Sequence, residues 1–246
     1  MPGRPTLSLV ILCYQERDYI PRFVAEVKEA LKTAGIPHTL ILVANYWPRA
    51  ESADISPRIV KELAMRDPSL AAVSLPKKGN MGWDLRSGFA RATGDVVGFT
   101  DGDGQVAAGD VVRAYEMLVA GDFDMVLGQR RERRDGRLRK LTSAVYSLIL
   151  RSFFPKVLAR DINGKPKLFR RQTLERLKRS SDNWFADAEL LIQASYRGFR
   201  IGFMPTVFYE NTRRPSTTSP WSIVESLLDI VRYRIALWLR KSTLLA

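Results

Sequence analysis

The residues best suited to chemistry in this chain lie in one short turn that follows an apolar run. Asp101 and Asp103 are two positions apart, with Gly102 between them and Gly104 and Gln105 after them. Carboxylate oxygens this close in a glycine-rich turn can converge on one hard cation, and such a cation commonly takes phosphate oxygens as further ligands. The turn therefore predicts a site for a divalent metal and a diphosphate, with Gln105 as an additional oxygen ligand.

The same residue types are also common in ordinary surface turns, so this alternative has to be weighed against the metal site. The run 96–99 before the turn is apolar, as buried strands of parallel sheets are, and no second strand-like run follows directly. Ligands of parallel α/β sheets bind outside the carboxyl ends of the strands. We therefore expect Asp101 and Asp103 to face a cleft at the sheet edge.

Strand-like and helix-like segments alternate through the first half of the chain, at spacings of about 25 to 30 residues. Strands are predicted at 7–13, 40–43, 71–75, 96–100 and 124–127, and helices at 16–31, 55–65, 82–92 and 109–119. Such alternation is typical of a Rossmann-like α/β fold with a mostly parallel sheet covered by helices.

The second half is predicted to contain three more helices, at 138–154, 184–196 and 221–240, with a short strand inside 161–171 and a broken strand at 201–209. The last helix has a wide apolar surface, tryptophan and tyrosine, and arginines around it. This composition suits a helix lying on a membrane surface and equally a helix packed between two layers. We divide the chain into an α/β domain, 1–210, and a C-terminal part, 211–246, made of a polar loop and this amphipathic helix.

Composition narrows the possible functions. The 246 residues carry a formal charge of +13, which indicates an anionic partner such as a nucleotide, a lipid phosphate, a membrane surface or nucleic acid. Cys13 is the only cysteine and His38 the only histidine, so internal disulfides, thiolate clusters and histidine-based triads are excluded or nearly so. No run reaches the roughly 18 to 20 apolar residues of a membrane-spanning helix. We expect an intracellular protein.

A basic run, QRRERRDGRLRK at 129–140, directly follows the fifth predicted strand. Such runs are often solvated faces. Its position favours a binding role, because the carboxyl end of this strand is expected to open on the same cleft as Asp101 and Asp103.

The order of motifs resembles family 2 glycosyltransferases with the GT-A fold, and among them the polyprenyl-phosphate (dolichyl-phosphate) mannose or glucose synthases. The resemblance covers nearly the whole chain. It is carried by LSLVILCYQER, GNMGWDLRSGFARATGDVVGFTDGDGQ, RDGRLRKLTSAVYSLILRSFF, DINGKPKLFRR and AELLIQASYRGFRIGFMPTVFYENTRRPSTTS.

The resemblance implies roles on the donor side. Asp101, Asp103 and Gln105 would bind Mg²⁺ or Mn²⁺, which offsets the charge that builds on the departing nucleotide diphosphate. The nucleotide-sugar pocket would be formed by Cys13, Tyr14, Glu16, Asn45, Arg86, Asp101 and Gly102.

The resemblance also implies an acceptor side, where a phosphate is gripped by Arg130, Arg139, Ser143 and Arg213 or Arg214. An ionised lipid phosphate can attack the sugar without a base if arginines hold it in line. A hydroxyl acceptor needs a base, which related enzymes place at Asp187 or Glu189. With a phosphate acceptor, we expect these carboxylates to orient the sugar or an arginine instead.

Two segments depart from the family pattern. The second strand ends in Val43-Ala44-Asn45-Tyr46 where a pair of aspartates is usual, and the first turn lacks the usual proline and asparagine. Asn45 can hydrogen-bond a base or ribose but brings no charge. The identity of the donor base is therefore left open.

The leading hypothesis is transfer of a hexose, with mannose favoured over glucose, from GDP-mannose or UDP-glucose to polyprenyl phosphate. The enzyme would be cytoplasmic and peripheral to the inner face of the cell membrane, on an anionic lipid surface. The first alternative is a family 2 enzyme with a hydroxyl acceptor and Asp187 as base. A nucleic-acid-binding protein is the remote alternative, because only charge supports it, and no nucleic-acid partner is expected.

Overall fold

A computed structural model describes residues 3–48, 54–133, 137–211 and 220–239. In chain order the elements are β1 (Leu7–Leu12), α1 (Tyr19–Thr33), β2 (His38–Val43), α2 (Ser56–Arg66), β3 (Leu70–Val73), α3 (Met81–Phe89), β4 (Val96–Asp101), α4 (Ala108–Ala120), β5 (Met125–Arg133), α5 (Arg137–Phe153), β6 (Lys167–Arg170), α6 (Arg171–Arg176), α7 (Ala186–Tyr196), β7 (Ile201–Phe208) and α8 (Pro220–Leu239).

The strands form one sheet in the order β3-β2-β1-β4-β6-β5-β7. Strands β1 to β4 pair in parallel, and β5 pairs in parallel with β7. Only β6, among the described strands, runs antiparallel to its neighbours β4 and β5. The sheet is thus mostly parallel and helix-covered, which confirms the predicted fold class.

The register of the central strands creates the edge at which the functional turns meet. Leu12, the last residue of β1, is paired with Val43 of β2 on one side and with Asp101 of β4 on the other. Parallel strands that end in register present their carboxyl ends side by side. The chain segments that follow β1, β2 and β4 therefore start at one edge.

The two faces of the sheet support separate cores. On β1, Leu7, Leu9 and Ile11 pack with the buried face of α1, while Val10 faces Leu85 and Phe89 of α3 on the opposite side. This alternation is the period-2 pattern of a strand buried on both faces. The apolar residues of α1 recur at helical spacing, and all five of them are buried: Ile20, Phe23, Val24, Val27 and Leu31.

Every predicted strand and helix is present, and the structure adds one short helix, α6. The fifth strand is the one element that is clearly longer than predicted: β5 continues to Arg133, so residues 129–133 of the basic run belong to the strand itself. The predicted broken strand at 201–209 is instead continuous as β7, with Pro205 inside it. Because β7 is the last strand of the sheet, the missing N–H of Pro205 is tolerated at an edge. The proposed division at residues 210 and 211 stays a prediction.

The last helix has one buried face and one exposed apolar face. Ile230 is fully buried in the core, whereas Trp238 on the outer face is 72% exposed. None of the helices in the described ranges is both long and apolar enough to cross a bilayer.

Candidate active site

The DGDGQ turn is held tightly against the end of β1. The Gly102 amide donates to the Leu12 carbonyl at 2.8 Å, and the Gln105 amide donates to Asp103 Oδ1 at 2.9 Å. Gly104 has φ +68°, and a Cβ there would lie 2.2 Å from the Tyr19 hydroxyl. A side chain at 104 would therefore both strain the backbone and clash, so the turn depends on glycine.

A pair of hydrogen bonds joins this turn to the end of β7. The Gln105 side-chain amide donates to the Tyr209 carbonyl at 2.8 Å, and the Tyr209 amide donates back to the Gln105 carbonyl at 2.9 Å. Residues 212–219, which hold the predicted Arg213 and Arg214, come soon after Tyr209 and lie outside the described residues. The start of the predicted acceptor loop is thus fixed to the predicted metal turn.

The donor set of the turn fits a hard divalent cation. Asp101 is half-buried at the last position of β4, and Asp103 and Gln105 are each 8% exposed. No cluster of three or more His, Cys, Asp or Glu side chains suited to a metal occurs in the described ranges. Two carboxylates and one amide oxygen leave positions for water and phosphate, as Mg²⁺ sites commonly do. Such an ion, when bound, would offset charge on a leaving diphosphate.

The turn after β1 holds an unusual backbone conformation. Gln15 and Arg17 have φ values of 58° and 46°, a region that side chains rarely adopt. Their amides are held by Asp54 Oδ2, at 3.1 Å from Gln15, and by Ser56 Oγ, at 3.0 Å from Arg17. No residue pattern in this turn predicts its backbone strain, a feature that often accompanies functional sites.

The predicted nucleotide-binding residues around this turn differ in how deeply they are buried. Tyr14 is half-buried with Lys77 Nζ 4.5 Å from its ring centroid, and Glu16 is 6% exposed. Cys13 is fully buried in the core behind them, and burial raises the pKa of its thiol. A nucleotide contact from Cys13 would therefore have to come from its main chain.

Asn45 is buried and bonded within the protein. Its Nδ2 donates to Asp84 Oδ1 at 2.8 Å and to Ser87 Oγ at 2.9 Å, while its Oδ1 accepts from the Leu75 amide at 2.9 Å. Its predicted nucleotide contact stays a prediction, and it requires at least one of these bonds to exchange. Asp84 also forms a buried ion pair with Lys77, although burial leaves its pKa raised.

Arg86, the remaining predicted donor residue, bonds the loop before α7. Its guanidinium donates to Asp182 and, at 3.4 Å, to the Arg179 carbonyl. The same loop lies against Gly82 at the start of α3, where a Cβ would come within 2.2 Å of the Ser181 carbonyl. Arg86 thus holds α3 to this loop, and its role with a nucleotide sugar stays a prediction.

Asp187, the candidate base, lies between two lysines that the sequence analysis did not single out. Lys165 Nζ donates to its Oδ2 and Lys167 Nζ to its Oδ1, and all three side chains are at most 4% exposed. Burial alone would raise the pKa of Asp187, but the two ammonium groups outweigh it and lower the pKa. This geometry does not support Asp187 as a general base.

Of the two lysines, Lys165 links Asp187 to the metal turn through the charge of Asp101. Burial alone would lower the pKa of Lys165, but the carboxylates of Asp187 and Asp101 outweigh it and raise the pKa. Burial lowers the pKa of Lys167 to about 8. Both ammonium groups lie over the Phe99 ring, at 5.3 and 5.6 Å. Their spacing of two, which puts both on one face of an extended segment, was the sequence signal that could have identified them.

Arg130 is engaged by a carboxylate. Its Nε and Nη2 donate to the two oxygens of Asp161, and its guanidinium lies 4.7 Å from the Phe208 ring centroid. Burial alone would raise the pKa of Asp161, but the bonds and charge of Arg130 outweigh it and lower the pKa. An acceptor phosphate would have to share or displace Asp161.

Glu189 organises the loop before α7. It accepts from the amides of Ser180 and Ser181, at 3.1 and 2.9 Å, and from the Ser180 hydroxyl, while burial raises its pKa. Among the described residues, Asp187 therefore bonds lysines and Glu189 bonds serines, with no hydrogen bond from an arginine to either carboxylate. The expectation that these carboxylates orient the sugar stays a prediction.

Two further predicted acceptor residues, Arg139 and Ser143, lie on α5. Ser143 is half-buried in the second turn of the helix, and Arg139 lies in the first turn with a side chain that falls outside what is described. The grip of these residues and of Arg213 and Arg214 on a phosphate stays a prediction.

Residues 8–178 match the family model described as glycosyl transferase family 2. The chain belongs to this family. The match covers more than half of the chain and includes the turn after β1, the DGDGQ turn and the KPK segment. It confirms the predicted family and the predicted class of enzyme, a glycosyltransferase.

The relatives of this family 2 chain include bacterial transferases that are named for undecaprenyl phosphate. It is 30% identical over 155 residues to the undecaprenyl-phosphate 4-deoxy-4-formamido-L-arabinose transferase of Pectobacterium carotovorum, covering 62% of this chain and 45% of that protein. It is 28% identical over 158 residues to the glycosyltransferase AglD of Haloferax volcanii, covering 62% of this chain and 25% of that protein. The chain thus spans about half the length, or less, of these curated relatives.

Solved structures confirm the GT-A fold. Glucosyl-3-phosphoglycerate synthase of Mycobacterium tuberculosis, in complex with Mn²⁺, UDP and its product, superposes with a TM-score of 0.69 at 18% identity, over 96% of this chain and 79% of that one. Its complex with Mn²⁺, UDP-glucose and phosphoglyceric acid gives a TM-score of 0.70 at 17% identity, over 94% of this chain and 80% of that one.

Proposed function

We propose that this family 2 glycosyltransferase moves a sugar from a nucleotide-diphospho-sugar to a polyprenyl phosphate, with a divalent metal held at the DGDGQ turn. The observation that carries the proposal is the burial of Asp187 between two lysines. An enzyme that deprotonates a hydroxyl acceptor needs a base that can reach it and take its proton. The candidate base of this chain is buried between Lys165 and Lys167.

A phosphate acceptor removes the need for a base. The phosphate is ionised at neutral pH, so the protein only has to hold it in line with the sugar carbon and keep the leaving diphosphate neutralised. The names of the bacterial relatives support this class of acceptor, because they specify undecaprenyl phosphate.

On the donor side, Asp101 and Asp103 would hold the metal, while the 13–17 turn and the Tyr14–Lys77 contact would receive the nucleotide. The metal turn and the start of the predicted acceptor loop are joined through Gln105 and Tyr209. We infer that donor and acceptor phosphates meet between them.

The helices α5 and α8 give the proposal a place for the lipid. Their outer faces carry apolar side chains that are 40% to 72% exposed: Leu141, Val145 and Leu148 on α5, and Val224, Leu228, Val231, Ile235 and Trp238 on α8. Arg232 and Arg234 are exposed beside them. An apolar helical face with arginines and a tryptophan suits the surface of an anionic bilayer. We propose a peripheral position on the cytoplasmic leaflet.

The finer donor predictions remain hypotheses. Mannose from GDP-mannose was favoured over glucose from UDP-glucose, whereas the bacterial relatives are named for a modified arabinose. The replacement of the usual aspartates by Asn45 and the buried Lys77–Asp84 pair leave the base open.

The test is a donor panel with purified protein, a short polyprenyl phosphate and either Mn²⁺, Mg²⁺ or EDTA. We expect transfer from one donor with metal and none with EDTA. Asp103→Asn should lower the rate about 100-fold or more, the scale of losing one group that stabilises transition-state charge. Asp18→Asn, on the exposed N-terminal side of α1, is the matched control. Transfer that persists in EDTA and in Asp103→Asn would contradict the metal role.

A further inference from the structure

A cavity of about 490 Å³ lies at the β3 edge of the sheet, between α2, β3 and α3. None of the residues of the 13–17 and 101–105 turns lines it. Val73, Leu75 and Trp83 form its apolar walls, and Lys61 and Arg91 contribute positive charge. Its volume is that of a small-molecule site.

Two buried polar atoms in the walls have no hydrogen-bond partner in the described part of the chain. They are Ser74 Oγ and Trp83 Nε1. A buried polar group without a partner costs about 1–3 kcal/mol, so two in one cavity are unusual. Both atoms are shielded from solvent, so a ligand would contact them only if their side chains turned toward the cavity. The indole N–H can only donate, and a ligand that satisfies it would therefore carry an acceptor.

The charge around the cavity has one sign. Lys61 and Arg91 are exposed and form no ion pair within the described ranges. Lys78 Nζ and the Arg86 guanidinium lie 5.5 and 5.7 Å from the Trp83 ring, although Arg86 also bonds Asp182. The rim therefore favours an anion.

We propose that this cavity binds a small anion with a flat body that bears hydrogen-bond acceptors, the class to which nucleotides belong. The ring would lie against Trp83 and Leu75, and the phosphate would lie near Lys61 and Arg91. An acceptor on the ring would meet Trp83 Nε1 and Ser74 Oγ once these side chains turn toward the cavity. Arg86, which the resemblance assigns to the nucleotide-sugar pocket, is one of its lining residues, whereas no residue of the 13–17 or 101–105 turn lines it. The inference does not depend on which acceptor the enzyme uses.

The test measures the binding of AMP, GMP, UMP and inorganic phosphate to the full chain in EDTA. Binding is measured by calorimetry and by tryptophan fluorescence. EDTA suppresses metal-dependent donor binding. At least one nucleotide should bind more tightly than inorganic phosphate. The Lys61→Ala/Arg91→Ala variant should weaken it about tenfold or more, and Trp83→Phe should weaken it and remove the fluorescence change. Arg66→Ala, an exposed arginine of α2 outside the cavity, and Asp103→Asn should leave it unchanged.

Three outcomes would overturn the proposal. Absence of nucleotide binding in the wild-type chain would leave the cavity without this function. Loss of binding in Asp103→Asn but not in Lys61→Ala/Arg91→Ala would place the nucleotide at the DGDGQ turn. Equal affinity for inorganic phosphate and nucleotides would indicate a simple anion site. If circular dichroism shows that Trp83→Phe is unfolded, Ser74→Ala tests the same hydrogen bond to the ligand.

Discussion

A carboxylate acts as a base only if it can reach the acceptor and take up a proton at the pH of the reaction. Asp187 is 1% exposed, and its two oxygens accept from Lys165 and Lys167. Its chemical role is that of a counter-ion to two buried ammonium groups, of which that of Lys165 also interacts with Asp101. An aspartate at this position matches the base position of the family. Its ion pairs with Lys165 and Lys167 disfavour that role here.

Asp187→Asn tests this assignment. The substitution leaves two buried cations without their carboxylate, so the free energy of unfolding should fall by about 3–5 kcal/mol, measured by urea denaturation. The rate of the folded fraction should stay within about tenfold of wild type, because no proton transfer is lost. A stable variant whose rate falls about 100-fold to 10,000-fold, the effect of removing a general base, would show that Asp187 is the base.

The Arg130–Asp161 pair predicts a pH dependence of stability. The folded-state pKa of Asp161 is lowered below its unfolded value of about 3.9. Its contribution to the free energy of unfolding is therefore fully present above about pH 4 and is lost as pH falls through the folded pKa. Asp161→Asn should flatten the pH dependence of unfolding below pH 4, whereas the exposed control Asp18→Asn should not. Identical acid profiles for Asp161→Asn and wild type would refute the pairing.

At the scale of elements, the 13–17 turn is held in place by a segment far from it in sequence. Asp54 precedes α2, yet its two carboxylate oxygens hold the amides of Gln15 and Ser56. The bond to Gln15 secures a residue with positive φ, which an isolated chain would not favour.

Asp54→Ala should therefore release the strained turn. We expect a loss of about 1–3 kcal/mol in the free energy of unfolding, for two buried amides left without partners, and a raised KM for the nucleotide sugar with little change in the KM of the acceptor. Asp67→Ala, which removes a carboxylate at the other end of α2, is the control and should leave both KM values unchanged. A raised acceptor KM in Asp54→Ala would argue against a donor-specific turn.

The elements themselves were predictable because their apolar periodicity is local. The helix and strand patterns of 19–33 and 96–101 follow from which side chains must be buried. The partners of Asp187, Arg130 and Asn45 were not predictable, because they lie on other segments of the chain. For Asp187 they also depend on the antiparallel insertion of β6, which begins at Lys167. Sequence spacing could place DGDGQ at a strand end, but it could not show which charges are already paired.

At the scale of the whole molecule, a positive net charge accompanies an exposed apolar surface. The formal charge of +13 and the outer faces of α5 and α8 belong to one chain whose proposed acceptor is a lipid phosphate. Electrostatic attraction and apolar insertion together give stronger binding to anionic bilayers than either alone.

Leu228→Glu/Trp238→Glu tests the membrane face. Both side chains are exposed, so thermal stability should be nearly unchanged, while co-sedimentation with vesicles containing phosphatidylglycerol should fall about tenfold or more. Met65→Glu/Leu75→Glu, on exposed apolar residues away from these helices, is the matched control. Wild-type binding by the α8 variant would show that another surface contacts the lipid.

The central claim is that the acceptor is a phosphate, and the most direct measurement compares two acceptors that differ only there. Purified protein with its active nucleotide sugar and metal is given a polyprenyl phosphate or the polyprenol of the same length, and glycolipid products are identified by mass spectrometry. The account predicts a sugar on the phosphate and no product from the alcohol. Glycosylation of the polyprenol at a comparable rate, abolished in a folded Asp187→Asn variant, would contradict it.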